Sequence, residues 1–291
     1  MDGAPQDGVP ATQQTCYRHP GREANVRCTR CERPVCPECM VSASVGFQCP
    51  ECVSAGSAGG REPRTRYGGR VVSGTAAVTK SLIAVNLVVY LLAHFLSDKF
   101  VIPLQLVGGG YYEGHKVGVA EGPDQWYRLV TAIFTHQSLP HLALNMLSLW
   151  WIGPPVEAAL GRIRFLALYV LAGLGGSALS FVFMGPGDAS LGASGAIFGL
   201  LGAIGVLVKR VGGDMRPIAT ILVLNLVFTF AWAGIDWRAH IGGLVFGAAI
   251  AFGMTHGPRE RRTQTQVVTC ALAVAAIVAM VCIGVADFPA F

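Results

Sequence analysis

Six polar side chains stand inside or at the edge of long apolar runs of this chain: His141, Asn145, Glu157, Ser194, Asn225 and His240. A polar group in hydrocarbon is costly, so each is a candidate for function. Ser194 lies in Gly192-Ala193-Ser194-Gly195 at the start of one run, and His240 opens another in Ala239-His240-Ile241-Gly242-Gly243. A hydroxyl paired with an imidazole is a nucleophile with its base, which suits acyl transfer. Small neighbours let a substrate backbone approach the serine. A helix N-terminus beside it offers unpaired N–H groups to a developing oxyanion. His141 and Asn145 are separated by three residues and share one helix face, and both are donors suited to the same oxyanion.

A second chemistry sits near the N-terminus. Seven of the nine cysteines fall between Cys16 and Cys52, in the order Cys16-x2-His19, Cys28-x2-Cys31, Cys36-x2-Cys39 and Cys49-x2-Cys52. Four such pairs supply eight ligands, enough for two tetrahedral Zn2+ sites. The opening residues show no basic segment followed by an apolar run, so no cleaved signal peptide is expected. Thiols without export read as reduced and metal-bound rather than as disulfides. A segment this short has too small a core to fold by burial alone, and metal would supply the folding energy. With every ligand position committed to metal, the module is expected to be structural.

The elements that must position these groups follow from composition. The 291 residues are 52% hydrophobic and only 13% charged. Soluble domains carry about 25% charged residues, so the balance is that of a membrane protein. The formal net charge of +5 is too mild to argue for a nucleic-acid partner. Seven apolar runs approach or reach the roughly 20 residues that cross a bilayer: Val78–Leu96, Leu139–Leu160, Phe165–Met184, Gly192–Val208, Pro217–Gly234, Trp237–Met254 and Val267–Val285. The long segment Ser97–Ser138 is too polar to cross and is expected to fold at the membrane surface. Residues 53–77, rich in Gly, Ser and Arg, read as a flexible basic linker.

Charge gives an orientation. Arg61, Arg64, Arg66, Arg70 and Lys80 precede or open the first span, and alternate later loops carry Arg162 and Arg164, then Lys209, Arg210 and Arg216, then Arg259, Arg261 and Arg262. The positive-inside rule makes the N-terminus cytoplasmic and, with an odd number of spans, leaves Phe291 outside. The reduced-cysteine argument selects the same side from different residues. Gly195-x3-Gly199 and Gly243-x3-Gly247 give the fourth and sixth spans small faces that permit close packing, which would bring Ser194 and His240 together.

An H-x3-N span, a G-x-S-G serine and an A-H-x-G-G histidine two helices later resemble the rhomboid family signature over residues 78–256. The resemblance implies an all-α polytopic membrane protein: six catalytic helices in a rhomboid-type bundle, a seventh appended in residues 257–291, and a small cytoplasmic zinc module. It implies an intramembrane serine endopeptidase working by a Ser-His dyad. Ser194 is then the nucleophile and His240 the base, while His141, Asn145 and the Ser194 N–H bind the oxyanion. No cofactor enters catalysis. Trp126-Tyr127-Arg128 is similar to an aromatic-arginine motif of the family's first external loop, which gives Arg128 a structural role. Glu157 matches a structural glutamate at the inner end of the second helix. Phe198 stands where members often carry a tyrosine stacked on the histidine. Asp236, one turn before His240, is expected to face the loop and be solvated. Residues 1–52 resemble B-box-type zinc fingers. That likeness would place Cys16, His19, Cys36 and Cys39 on one zinc and Cys28, Cys31, Cys49 and Cys52 on the other.

Rival chemistries find less support. H-E-x-x-H is absent, and Gly185-Pro186-Gly187-Asp188, although it spells G-x-G-D, reads as a turn. A non-catalytic escort protein would be favoured by loss of the serine or the histidine, yet both are present. A transporter would need internal repeats or paired broken helices, and Pro154-Pro155 has no counterpart. The expected partners are single-span membrane-protein substrates, the lipid bilayer and a protein recruited by the zinc module, in a multi-pass protein of the cell membrane.

Overall fold

The computed structural model describes residues 14–58, 64–71, 76–96, 98–232 and 234–289. Arg61 and Phe291, used above for charge and orientation, lie outside them. The chain divides into two units, Met1–Glu62 and Pro63–Phe291.

In the first unit, β1 (Val26–Arg27) pairs with β2 (Pro34–Val35) and β3 (Val41–Ser42) with β4 (Phe47–Gln48), both antiparallel, and helix α1 (Pro50–Ala58) follows. Its core consists of Cys16, Ala24, Cys28, Val35, Cys36, Cys39 and Cys49. Five of those seven side chains are thiols, so the fold is organised around sulfur rather than around a hydrocarbon interior.

The second unit is helical: α2 (Ala77–Leu96), α3 (Asp98–Leu104), α4 (Arg128–Thr131), α5 (Leu139–Leu160), α6 (Arg162–Val182), α7 (Ser194–Arg210), α8 (Arg216–Ala231), α9 (Trp237–His256) and α10 (Arg262–Asp287). Each of the seven expected spans falls on one of its long helices, with ends shifted by at most a few residues. Four of them, α2, α6, α9 and α10, are long and apolar enough to cross a membrane, and α8 is a shorter apolar helix. The polar side chains and prolines of α5 lower its hydropathy, and α7 is shorter, at 17 residues. Both helices also pack within the bundle, where α7 buries Gly195 through Leu201 without a break.

Local chemistry sets the helix boundaries. The Ser138 hydroxyl accepts from His141 N–H at the start of α5, and Pro140 occupies the first turn, where its missing N–H does no harm. Gly161, at φ +82, ends α5 and turns directly into α6. Glu157 caps a helix remote in sequence: its carboxylate accepts from Val78 N–H (3.0 Å), Thr79 N–H (2.9 Å) and the Thr79 hydroxyl (2.8 Å), satisfying the start of α2.

Two expectations are corrected. The segment 53–77 is not flexible throughout. Its first residues continue α1, and residues 64–71 form a tight turn whose Tyr67 is buried and whose Tyr67 carbonyl accepts from Gln266 of α10 at 3.1 Å. Asp236 is not a solvated loop residue. It caps α9 by accepting from Arg238 N–H and Ala239 N–H, and it bonds the Ser180 hydroxyl and the Arg238 guanidinium. Two unpaired N–H groups at a helix start draw a carboxylate more strongly than solvent does.

The surface segment has its own structure. Strand β5 (Leu106–Val107) is followed by a hairpin of β6 (Gly110–Tyr112) and β7 (His115–Val117), and β5 pairs antiparallel with β8 (Ala189–Ser190). That pairing ties the loop to the residues just before Ser194. The Gly185–Asp188 stretch is a turn, with Gly187 at φ +82 and Asp188 N–H donating to the Gly185 carbonyl.

Candidate active site

Ser194 is the first residue of α7, and the preceding Ala193 has no side chain able to cap the helix. The opening N–H groups of α7 therefore have no intrahelical acceptor and point out of its positive end. His240 lies in the first turn of α9, its ring buried. The two helices approach backbone to backbone. A Cβ at Gly195 would lie 3.2 Å from the Ala239 carbonyl oxygen, and one at Gly199 would lie 3.0 Å from that of Gly243. A Cβ at Gly243 or Gly247 would be driven into the Gly195 or Gly199 carbonyl. Only glycine-lined faces allow this separation, and it sets His240 Nε2 2.7 Å from Ser194 Oγ.

Phe198, one turn after Ser194, stacks on the imidazole with ring centroids 4.1 Å apart and planes 14° from parallel. The stack fixes the plane of the ring while leaving both nitrogens at its edge available. The other nitrogen, Nδ1, lies 2.8 Å from the hydroxyl of Thr229 on α8. Sequence reasoning missed Thr229, because a threonine in a membrane helix ordinarily satisfies itself on its own backbone.

His141 meets the site through Gly192. At φ +125 this glycine has a backbone that side chains rarely adopt, and a Cβ there would stand 2.7 Å from His141 Nε2 and 3.7 Å from Ser194 Oγ. The imidazole of His141 thus lies in the place that a side chain at 192 would fill, next to the serine. Gly192 N–H is held by the Ala132 carbonyl at 2.9 Å. Asn145, buried one turn below, donates one amide hydrogen back to the His141 carbonyl at 3.0 Å.

His136 was also missed. It is 2% exposed, packs edge-on against His141 with centroids 5.0 Å apart, and neither of its ring nitrogens has a partner among the described residues. Burial, helped by the neighbouring His141, pushes its pKa down to about 3, so it is neutral at ordinary pH. Only its position five residues before His141, outside the apolar run, could have drawn attention to it.

Arg128 is 3% exposed and works inside the surface segment. Its guanidinium donates to the Gln125 side chain at 2.7 Å and to the carbonyls of Ile102 and Gln105 at 2.8 and 3.2 Å, joining α3 to α4. Burial lowers its pKa from the ordinary value. Asn225 is half-buried on α8, one turn before Thr229; its side-chain amide donates to the Ile221 carbonyl at 2.8 Å, and only its backbone carbonyl, accepting from the Thr229 hydroxyl, reaches toward the site.

In the N-terminal unit the ligand atoms gather into two groups, Cys16, His19, Cys36 and Cys39, and Cys28, Cys31, Cys49 and Cys52, with the atoms of each group within 4.8 Å of one another. The Cys31 and Cys49 sulfurs are 3.7 Å apart, and His19 Nδ1 is 3.4 Å from the sulfurs of both Cys36 and Cys39. A tetrahedral zinc with bonds of about 2.3 Å separates its sulfurs by about 3.8 Å, so both donor sets fit that ion. Cys28 Sγ accepts from Cys49 N–H at 3.2 Å and Cys31 Sγ from the Arg33 guanidinium at 3.3 Å, contacts that favour thiolates.

Comparison with known proteins agrees with this architecture. The B-box zinc finger family matches residues 11–43 and the Rhomboid domain family matches residues 123–257. Rhomboid protease GluP of Bacillus subtilis is 44% identical over 164 residues, covering 54% of this chain and 32% of that protein. Putative rhomboid protease YdcA of the same organism is 34% identical over 154 residues, covering 51% of this chain and 76% of that protein. RHOMBOID-like protein 5 of Arabidopsis thaliana is 38% identical over 149 residues, covering 48% of this chain and 47% of that protein. The chain therefore spans from a third to three quarters of the length of these relatives. With its apolar helices it is a multi-pass membrane protein, and by its match to most of YdcA the chain belongs to the rhomboid family.

Proposed function

We propose that this protein is an intramembrane serine endopeptidase that cleaves single-span membrane proteins in or near their transmembrane segment. The observation that carries the reading is the 2.7 Å contact between Ser194 Oγ and His240 Nε2 at the start of two closely packed helices. Ser194 Oγ attacks the scissile carbonyl while His240 Nε2 takes its proton and then gives it to the leaving amine. Water, deprotonated by the same imidazole, then releases the acyl group from the serine. The oxyanion is bound by the Ser194 N–H, His141 and Asn145, helped by the positive end of α7. Phe198 supports the ring, while Arg128 and Glu157 hold the surface segment and the start of α2.

The cysteine-rich unit holds two structural zinc ions, one in each four-ligand group, and serves to recruit a partner or substrate. It lies in the cytoplasm and the C-terminus lies outside, which the basic loops and the reduced thiols both support. On this topology a cysteine at Asp188 reacts with an impermeant thiol reagent added outside and one at Arg210 does not. The reverse pattern inverts the orientation.

The function is tested with purified full-length protein in liposomes carrying a generic transmembrane substrate. Wild type cleaves and Ser194→Ala does not, with both retaining the same helical content. Equal cleavage by the two proteins would defeat the serine-protease reading and favour a non-catalytic escort role.

A further inference from the structure

The two nitrogens of His240 are engaged from different helices, and the proton count at Thr229 decides which of them carries hydrogen. The Thr229 hydroxyl is 2.7 Å from the Asn225 carbonyl oxygen and 2.8 Å from His240 Nδ1. A hydroxyl has one proton to donate, and the carbonyl oxygen can only accept. With that proton on the carbonyl, the hydroxyl oxygen faces Nδ1 as an acceptor. The imidazole must then hold its hydrogen on Nδ1, which leaves Nε2 bare at 2.7 Å from Ser194 Oγ. That is the tautomer a general base needs. Resting on the dyad reading above, the geometry points to Thr229 as the positioning residue of this active site: an uncharged hydroxyl on α8 that does the orienting work a carboxylate does in a three-residue triad.

The plainer alternative is that Thr229 merely hides its hydroxyl in an apolar helix. Back-bonding to the carbonyl four residues earlier is common for threonine in such settings. Thr269 of α10 does this, at 2.8 Å from the Thr265 carbonyl. It accounts for the bond to Asn225 and for nothing else. Thr229 is 3% exposed and is the buried residue of α8, whose neighbouring side chains Val227, Phe228 and Phe230 are exposed. The rest of the inward side of α8, Ile218, Leu222, Asn225 and Leu226, is only half-buried, and an apolar side chain would fill its one buried point as well as a hydroxyl does. Nor does an acid serve Nδ1 among the described residues. Asp236, the carboxylate nearest in sequence, is occupied by the N–H groups of its own helix, by Ser180 and by Arg238.

During turnover His240 becomes an imidazolium, and the bond from Nδ1–H to Thr229 becomes charge-assisted. Its loss should therefore fall on the chemical step rather than on substrate binding. Thr229→Val keeps the shape and removes the acceptor; Thr229→Ser restores it. With the same transmembrane substrate, we expect Thr229→Val to lower kcat by about 10- to 100-fold, the loss of one hydrogen bond to a charged group, with KM unchanged. Thr229→Ser recovers most of that loss. The wild type labelled with 15N-histidine reports the tautomer directly, with neutral His240 carrying hydrogen on Nδ1. That measurement needs no folded variant.

A wild-type kcat in Thr229→Val, a Thr229→Ser variant as slow as Thr229→Val, or hydrogen on Nε2 of neutral His240 in the wild type would each overturn the assignment. Failure of the dyad itself has a separate signature, cleavage by Ser194→Ala, which does not depend on residue 229.

Discussion

Gly192 decides whether His141 can stand beside the serine. The imidazole occupies the space of the missing side chain, and the backbone at φ +125 excludes almost any other residue. Gly192→Ala should therefore displace His141, with which the new Cβ collides, and remove an oxyanion donor, while that Cβ stands only at ordinary contact distance, 3.7 Å, from Ser194 Oγ. Removal of one such donor lowers kcat by about 100- to 1000-fold in hydrolases of this chemistry. Steady-state kinetics on the purified variant would show that drop, with reaction of Ser194 toward a small serine-directed probe largely kept. Normal turnover would mean that His141 does not act on the oxyanion. Phe198 carries the same logic in a weaker form. Its ring lies flat on the imidazole, so the face contact needs no hydroxyl at this position.

At the scale of elements, the helices that bring Ser194 and His240 together were legible because their signals are local. A serine among glycines and a histidine before two glycines name both residues of the 2.7 Å contact and the small faces that allow it. Besides His136, three features were not legible, each for a stated reason. Thr229 looks like any back-bonded threonine until a histidine from another helix is placed beside it. Asp236 sits in a sequence loop, and its capping role follows from the N–H groups of α9, which exist only once the helix forms. The cap made by Glu157 joins residues 78 and 79 positions apart, beyond the reach of any local pattern. That cap yields a prediction about stability rather than catalysis. Glu157→Ala leaves the first N–H groups of α2 unpaired, and unmade bonds of this kind cost about 1–3 kcal/mol. The thermal unfolding midpoint in detergent should fall, while kcat/KM measured well below that midpoint should not. An unchanged midpoint would show that the carboxylate contributes nothing to holding α2.

At the scale of the whole molecule, the two units are held by different forces. The helical unit buries a continuous apolar core from Tyr67 to Val281, whereas the N-terminal unit buries little besides sulfur. Its stability should be that of its metal. A strong chelator should unfold residues 14–58, seen as fast amide exchange there and as free thiols. The exchange of α5, α6, α7 and α9 should stay slow, and cleavage in detergent should persist. Collapse of the helical unit on chelation would contradict this separation.

The central claim is that Ser194 is a nucleophile activated by His240, and the most direct measurement is the covalent modification of that serine. Full-length protein is treated with a fluorophosphonate, digested, and mapped by mass spectrometry. The account predicts one adduct, on the peptide that contains Ser194, in the wild type. It predicts loss of that adduct in His240→Ala, in which the serine has no base. An unmodified Ser194 in cleavage-competent protein, or equal modification with and without His240, would contradict it.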